Sequence, residues 1–130
     1  MSEEKSRQRG KLGEKIAVKF LIKNNYSICK KNFYSKYGEI DIIAENDDYL
    51  SFIEVKTRSN TNFATPIDFV DKTKQQRIIK TAIVYLSQRQ NQLQPRFDVI
   101  EILILKYDKY RVKIRHTKNA FCQEKSNEFF

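Results

Sequence analysis

The sequence is poor in the residues that form disulfide frameworks, histidine metal sites and glycine-rich phosphate loops. Its 130 residues include two cysteines, one histidine and three glycines. Cys29 and Cys122 provide neither a disulfide framework nor the spacing of a metal site. A lone histidine, His116, excludes a site built from several histidines, and we expect it to make a polar contact at a strand end. Gly10 and Gly13 do not form a phosphate loop, because the preceding strand and the Gly-Lys-Ser/Thr ending are missing.

Long apolar runs are also absent. The longest one, residues 99–105, is interrupted by Glu101 and is much shorter than the about 20 residues that span a bilayer. Residues 1–10, MSEEKSRQRG, lack the apolar core of a secretory signal. Together with the low cysteine content, these features predict a cytoplasmic protein without a membrane partner.

Charge is abundant and unevenly distributed. Lys and Arg number 25 against 16 Asp and Glu, which gives a net charge of +9. Residues 39–54 reverse this balance with six acids and no basic residue: Glu39, Asp41, Glu45, Asp47, Asp48 and Glu54. A basic surface favours nucleic-acid binding, although lysines retained for solubility give the same composition. Clustered carboxylates add nothing to phosphate binding, whereas a Mg²⁺-dependent phosphodiesterase requires them.

Hydrophobic periodicity predicts one domain of two helices and five strands. Apolar residues at steps of three and four predict helices at about residues 9–24 and 71–89. Alternating and β-branched segments predict strands at about residues 26–33, 38–45, 49–58, 97–105 and 110–116. The order αβββαββ is that of an α/β domain with a mixed central sheet flanked by helices. We expect this domain to comprise residues 1–130, with its core at about 9–121.

The second and third strands carry charged residues in matching phase. Because side chains alternate along a strand, Glu54 and Lys56 share one face of the third strand. A two-residue turn would place Asp41 directly opposite Glu54, and a four-residue loop would place it on a diagonal of the same face. Such carboxylates repel each other unless a cation lies between them, and Mg²⁺ is a suitable cation. Lys56 would then position or deprotonate an attacking water; a surface ion-pair patch is the alternative interpretation.

Both helices are predicted to extend this polar cluster. Glu14 lies at the edge of the apolar stripe of the first helix, where it either reaches a cleft over the sheet or interacts with the helix dipole. Extending the apolar stripe of the second helix towards its start leads to Asp71, Lys72 and Gln75, polar residues that need partners. Lys74 and Arg77 are expected to point sideways or outward. The basic residues expected to contact a phosphate backbone are Arg58, Lys72, Lys74 and Arg77.

These residues resemble a known motif. Asp41 followed by Glu54-Val55-Lys56, with helices on either side, resembles the PD-(D/E)xK nuclease superfamily, although Ile40 stands where the motif has proline. Two stretches, GEIDIIA at 38–44 and FIEVKTR at 52–58, are more closely similar to the bacterial YraN-like family. The similarity extends over about residues 9–121. It implies a restriction-endonuclease-like αβββαββ core, related to that of Holliday-junction resolvases.

The resemblance also implies roles for individual residues. Asp41, Glu54 and the carbonyl of Val55 are similar to the metal ligands of the superfamily, and Lys56 to its catalytic lysine. Glu14 resembles the helix carboxylate that supports the metal or its water. The implied cofactor is Mg²⁺ or Mn²⁺.

Gln75 resembles a polar helix residue of resolvase-like branches and completes the predicted catalytic set. The implied activity is endonucleolytic hydrolysis of phosphodiester bonds, in DNA rather than RNA, with branched or damaged DNA as the candidate substrate. The alternatives are a nucleic-acid-binding module without chemistry and an accessory subunit that keeps the nuclease fold. A homodimer or a protein partner is compatible with each of these functions.

Overall fold

The computed structural model of the chain describes residues 3–59, 70–89, 93–105 and 111–122. The elements of this part of the chain are α1 (Glu3–Lys23), β1 (Ser27–Ser35), β2 (Gly38–Glu45), β3 (Tyr49–Arg58), α2 (Lys72–Ser87), β4 (Gln94–Leu105) and β5 (Arg111–Phe121). Their order confirms the predicted α/β fold and is consistent with a restriction-endonuclease-like core. Neither described helix has the length and apolar character needed to cross a membrane.

The five strands form one mixed sheet in which neighbours along the chain are also neighbours in space. Their order is β1-β2-β3-β4-β5. β3 and β4 are parallel, whereas the other neighbouring pairs are antiparallel. A parallel pair requires a long crossover connection, and α2 lies in that connection. The predicted mixed sheet is therefore confirmed.

The two helices cover opposite faces of this sheet. Consecutive strand residues point to opposite faces of the sheet. In each of β2, β3 and β4, one of two adjacent residues packs against α1 and the other packs against α2. The cluster that α1 joins contains Ala17 and Leu21 of the helix with Ile42, Ile53 and Ile100 of the sheet. The cluster that α2 joins contains Ile78, Ile79 and Ala82 of the helix with Ile43, Phe52 and Val99 of the sheet. The centre of the sheet is thus covered on both sides.

A tight turn sets the register between β2 and β3. The backbone N–H of Asn46 donates across the turn to the first carbonyl of β3 at 3.1 Å, which leaves two residues in the connection. From there the antiparallel ladder runs as far as Ile42 opposite Ile53. Of the two predicted connections, the structure has the two-residue turn. Continued by one residue beyond the end of the ladder, this register would place Asp41 opposite Glu54.

The helix α1 begins earlier than predicted and ends where predicted. Its first turns, residues 3–8, are exposed and carry no apolar periodicity, so hydrophobic patterning does not detect them. At the other end Asn25 has a positive φ of 69°. The N–H of Tyr26 donates to the carbonyl of Leu21 at 2.9 Å, and the N–H of Asn25 donates to that of Ile22 at 3.2 Å. This pair of bonds is a Schellman motif, in which Asn25 occupies the left-handed position that glycine usually takes.

The last two strands are longer than predicted. β4 begins at Gln94 and includes Pro95. Its pairing with β5 starts only at Phe97, so the missing N–H of the proline is not needed on that side. β5 continues past His116 to Phe121, with Asn119 at a positive φ of 54° beside a shift in register. An irregular strand of this kind interrupts the alternation on which the prediction depends.

Candidate active site

Asp41 lies where β2 and β3 separate. The ladder between these strands ends at Ile42 and Ile53. One residue beyond it, Oδ2 of Asp41 accepts a hydrogen bond of 2.8 Å from the backbone N–H of Val55. The N–H and C=O of a strand residue face the same neighbouring strand, so the Val55 carbonyl faces the same gap. The structure therefore brings together Asp41 and the backbone of Val55.

The separation of the strands also changes the faces predicted for β2. Simple alternation places Ile40 and Ile42 on one face. Instead, Ile40 packs in the cluster of α2 and Ile42 in that of α1. The change occurs at Asp41, one residue beyond the last ladder pair with β3, although β2 remains paired with β1 on both sides of this residue. The expected regular alternation through Asp41 was wrong.

Glu54 is paired with the first turn of α2. Its Oε2 lies 2.5 Å from Nζ of Lys74, with the two side chains 11% and 45% exposed. Asp71 is the N-cap of α2 and accepts a hydrogen bond from the N–H of Lys74 at 2.8 Å. Lys74 was expected to point sideways or outward, and its half-exposed side chain reaches sideways to this carboxylate. Its long, flexible stem allows the ammonium to reach the nearby carboxylate, whose negative charge stabilises it.

A cleft opens between the start of α2 and the separated ends of β2 and β3. Its volume is about 400 Å³. The residues that line this carboxylate cleft are Gly38, Glu39, Asp41, Glu54, Asp71, Thr73, Lys74 and Arg77. Carboxylates thus face two cations across a solvent-accessible space. Acidic and basic side chains therefore lie side by side in this cleft.

The carboxylates of the cleft disfavour each other's charge. Burial, followed by the charge of Glu54, raises the pKa of Asp41 to about 8, despite the hydrogen bond from Val55. Glu14 and Glu39 add smaller effects in the same direction. At neutral pH, Asp41 therefore holds a proton unless a cation compensates its charge.

Glu14 approaches this cluster from the opposite face of the sheet. Burial raises the pKa of its carboxyl group, a hydrogen bond with the Asn32 side chain opposes this shift, and the charges of Glu39 and Glu54 add to it. Asn32 has a positive φ of 53°, a conformation that asparagine tolerates better than most residues. Sequence reasoning missed Asn32, since one asparagine between lysine and phenylalanine gives no signal for such a contact.

The preceding residue, Gly13, allows this approach. A Cβ placed on Gly13 would overlap the hydroxyl and Cβ of Thr57 on β3. Only glycine therefore permits α1 to lie so close to β3, and the next residue along the helix is Glu14. The glycine predicted not to bind phosphate has a packing role instead.

Several residues assigned to the site lie outside the lining of the cleft, among them Lys56, Arg58 and Gln75. Lys56 is exposed and lies opposite Glu101 in the β3–β4 register. Nη1 of Arg58 lies 3.8 Å from Oε2 of the buried Glu101. The side-chain amide of Gln75 donates to the Val70 carbonyl at 2.9 Å, just before α2. Of the predicted catalytic set, the structure thus brings together the carboxylates and leaves Lys56 and Gln75 at the margin.

Comparisons with known proteins identify the family of this chain. The model of the uncharacterised protein family UPF0102 matches residues 13–102. The chain belongs to this family. It is 47% identical to a UPF0102 protein of Caldanaerobacter subterraneus subsp. tengcongensis, over 86% of this chain and 93% of the relative. It is 45% identical to one of Acetivibrio thermocellus, over 88% of this chain and 92% of the relative. The predicted YraN-like membership is confirmed.

A second, basic depression of this UPF0102 protein adjoins the carboxylate cleft. Its volume is about 450 Å³. The residues that line it, here called the Tyr37 pocket, are Lys36, Tyr37, Lys72, Thr73, Gln76, Arg77 and Lys80. Thr73 and Arg77 belong to both depressions. Two of the residues predicted to contact phosphate, Lys72 and Arg77, therefore lie beside the cleft.

A buried ionic network of the UPF0102 protein lies at β4 and β5, apart from the cleft. Asp98 is fully buried and accepts hydrogen bonds from Nε and Nη2 of Arg96 at 2.9 and 2.8 Å. It also contacts Nε2 of His116 at 2.8 Å and accepts one from the N–H of Asn119 at 2.9 Å. Arg96 bonds the Tyr26 hydroxyl at 2.6 Å. His116 thus makes the expected polar contact, with Asp98 of β4, but from the middle of β5 and not from a strand end as predicted.

Proposed function

We propose that this UPF0102 protein is a divalent-metal-dependent phosphodiesterase that cleaves a DNA strand. The observation that carries this proposal is that Asp41 and Glu54 line one cleft where β2 and β3 separate, together with the basic side chains of Lys74 and Arg77. Carboxylates held in this way repel each other, which is unfavourable unless they serve a cation. Stability alone does not explain such an arrangement, and metal-assisted phosphodiester hydrolysis does.

The donor set fits a hard divalent cation. Mg²⁺ binds through one or two carboxylates and otherwise keeps oxygen ligands from water and phosphate. The residues that would hold it are Asp41 and Glu54, with the backbone carbonyl of Val55. Among residues 3–59, 70–89, 93–105 and 111–122, no set of three or more His, Cys, Asp or Glu side chains is close enough to chelate a metal. A metal held here would therefore have at most two side-chain ligands, with the Val55 carbonyl, water and phosphate as the others.

Bound Mg²⁺ or Mn²⁺ would act as a Lewis acid on the phosphodiester and increase the acidity of a water. The protein's own residues bind and orient the substrate. Lys74 and Arg77 line the cleft and offer donors to non-bridging phosphate oxygens. Glu14, hydrogen-bonded to Asn32, is a proton acceptor at the α1 side of the cluster.

Two residues act from the margin of the cleft in this proposal. Lys56 follows Glu54 on the same face of β3, and its long exposed side chain positions the attacking water when substrate is bound. Gln75 holds the Val70 carbonyl beside the start of α2. It thereby positions the first turn, from which Lys74 reaches the cleft.

A binding module without chemistry is the second candidate. The contact between Lys74 and Glu54 favours it, because the ammonium already compensates one of the two carboxylates. In that function the basic residues alone bind nucleic acid, and the carboxylates form a structural ion pair. Metal binding distinguishes the two candidates, since only the phosphodiesterase requires it.

The test is isothermal titration of Mn²⁺ into the wild type and Asp41→Asn, combined with cleavage assays on single-stranded, duplex and four-way-junction DNA. Asp47→Asn is the matched control, because Asp47 is an exposed carboxylate in the β2–β3 turn. We expect metal binding and cleavage in the wild type and in Asp47→Asn, and loss of both in Asp41→Asn. Equal, weak metal binding by all three proteins without cleavage would refute the phosphodiesterase and leave the binding module.

A further inference from the structure

The Tyr37 pocket combines a partly exposed aromatic side chain with several Lys and Arg side chains. Tyr37 is 38% exposed. The ammonium groups of Lys36 and Lys80 lie 5.2 and 5.7 Å from the centroid of its ring. Lys72 and Arg77 complete the basic lining. Both ammonium groups lie over the ring, so a base that stacks on it displaces at least one of them, and the displaced cation is then placed to bind a flanking phosphate.

The fold fixes Tyr37 against α2. Oγ of Ser35 lies 2.9 Å from Oγ1 of Thr81 on α2 and accepts a hydrogen bond of 3.0 Å from the N–H of Tyr37. The next residue, Gly38, has a φ of +153°, and a Cβ built on it would lie 3.5 Å from Cβ of Arg77. The tip of the β1–β2 hairpin is therefore tied to the helix. This arrangement holds the backbone of Tyr37 in place beside α2 before any ligand binds, which reduces the entropic cost of binding.

The pocket adjoins the carboxylate cleft. Thr73 and Arg77 line both depressions and so form the boundary between them. A strand whose phosphodiester bond lies in the cleft has a neighbouring nucleotide beyond this boundary. The volume of about 450 Å³ suits one small, flat ligand.

We propose that the Tyr37 pocket holds an unpaired nucleotide of the strand whose phosphodiester lies in the carboxylate cleft. The base stacks on Tyr37, and the surrounding Lys and Arg side chains contact the flanking phosphates. A base inside a duplex is stacked between its neighbours and does not offer its face to a side chain. This inference rests on the proposed function, and it makes single-stranded segments the preferred substrate class: tails, flaps or unpaired nucleotides at junctions.

The test measures binding without metal, so that it does not depend on catalysis. Fluorescence anisotropy in EDTA compares a labelled single-stranded 12-mer with a hairpin duplex for the wild type, Tyr37→Ala and Tyr37→Phe. The matched control is Tyr34→Ala. Tyr34 is 68% exposed but lies on the other face of β1, since its neighbours Phe33 and Ser35 both contact α2.

We expect Tyr37→Ala to weaken single-strand binding on the order of tenfold, as loss of one stacked base predicts. Tyr37→Phe and Tyr34→Ala should bind as the wild type does. An oligonucleotide with 2-aminopurine adds a direct readout of stacking: its fluorescence should be quenched by the wild type and Tyr37→Phe, and not by Tyr37→Ala. Oligodeoxynucleotide and oligoribonucleotide versions distinguish the two sources of an unpaired base.

The outcomes separate this inference from the proposed function. If single strands bind through Tyr37 but no metal-dependent cleavage occurs, the pocket stands and the phosphodiesterase fails. If duplex DNA is cleaved and Tyr37→Ala leaves binding and cleavage of single strands unchanged, the phosphodiesterase stands and this inference is overturned. An equal loss of binding in Tyr34→Ala and Tyr37→Ala would also overturn it.

Discussion

Replacing Asp41 with asparagine is expected to stabilise the metal-free protein. The asparagine side chain keeps an oxygen that accepts the hydrogen bond from Val55 and lacks the charge that burial and Glu54 disfavour. The pKa of Asp41 rises from 3.8 to about 8 in the folded protein. At pH 7 this carboxyl group is ionised in the unfolded chain and protonated in the folded one. At about 1.4 kcal/mol per pKa unit, the gap between pH 7 and the ordinary pKa of 3.8 lowers the free energy of unfolding by at most about 4 kcal/mol. Water entering the cleft lowers the cost, and we expect a gain of about 1–3 kcal/mol.

The gain must depend on pH in a defined direction. Below pH 4 the carboxyl group is protonated in both folded and unfolded chains, so wild type and variant have similar stability. Between pH 4 and about 8 the unfolded chain ionises Asp41 while the folded chain retains its proton. The free energy of unfolding of the wild type therefore falls, relative to the variant, as pH rises through this window.

The assay is urea denaturation of both proteins at pH 4, 6 and 8 in EDTA. Asp47→Asn, in the exposed turn, is the control for a change of one surface charge. Adding Mg²⁺ at pH 8 should narrow the difference, because the proposed metal would compensate the wild-type charge. If Asp41→Asn is no more stable than the wild type at pH 8, the mutual repulsion of these carboxylates is not a property of the fold.

Two further changes test how the site is supported. Gly13→Ala should destabilise the protein by about 1–3 kcal/mol through overlap with Thr57. Gly10→Ala should stabilise it by up to about 1 kcal/mol, because a Cβ there meets nothing within 4 Å; equal effects in thermal denaturation would contradict the packing role of Gly13. Asp98→Asn should cost about 3–5 kcal/mol, since it leaves Arg96 buried without its counter-charge. Burial raises the pKa of Asp98, but hydrogen bonds from His116, Arg96 and Asn119 outweigh it and leave the pKa below its ordinary value of 3.8. The stabilisation that ionised Asp98 gives the wild type should therefore be lost only as pH falls below about 4. If Asp98→Asn is as stable as the wild type at pH 7, Asp98 does not stabilise the fold as the counter-charge of Arg96.

The hairpin that carries the carboxylates could be predicted almost completely from the sequence. β2 and β3 have the predicted bounds, Gly38–Glu45 and Tyr49–Arg58. Alternation, β-branched residues and a polar turn are local signals, and a two-residue turn fixes the register. The placement of Asp41 and Glu54 at the same end of this hairpin therefore followed from chain geometry alone.

Contacts between distant elements could not be predicted in the same way. The direction of Lys74 depends on Glu54 lying beneath the start of α2, and helical periodicity describes only the helix itself. The Asp98 network joins β4 and β5 to Tyr26, the residue just before β1, through isolated polar residues. Such residues have no periodic signal, because their burial is compensated by partners far along the chain.

The fold also explains why an acidic segment occurs inside a basic chain. Residues 39–54 form most of one hairpin, and its acids lie at the two ends. Asp47 and Asp48 are exposed in the turn, where carboxylates cost little. Asp41 and Glu54 lie at the open end, beside the basic start of α2. The apolar residues between the two ends cover both faces of the sheet centre. The hairpin thus places its acidic residues at its two ends. At the open end, Asp41 and Glu54 lie where both solvent and the basic side chains of α2 reach them.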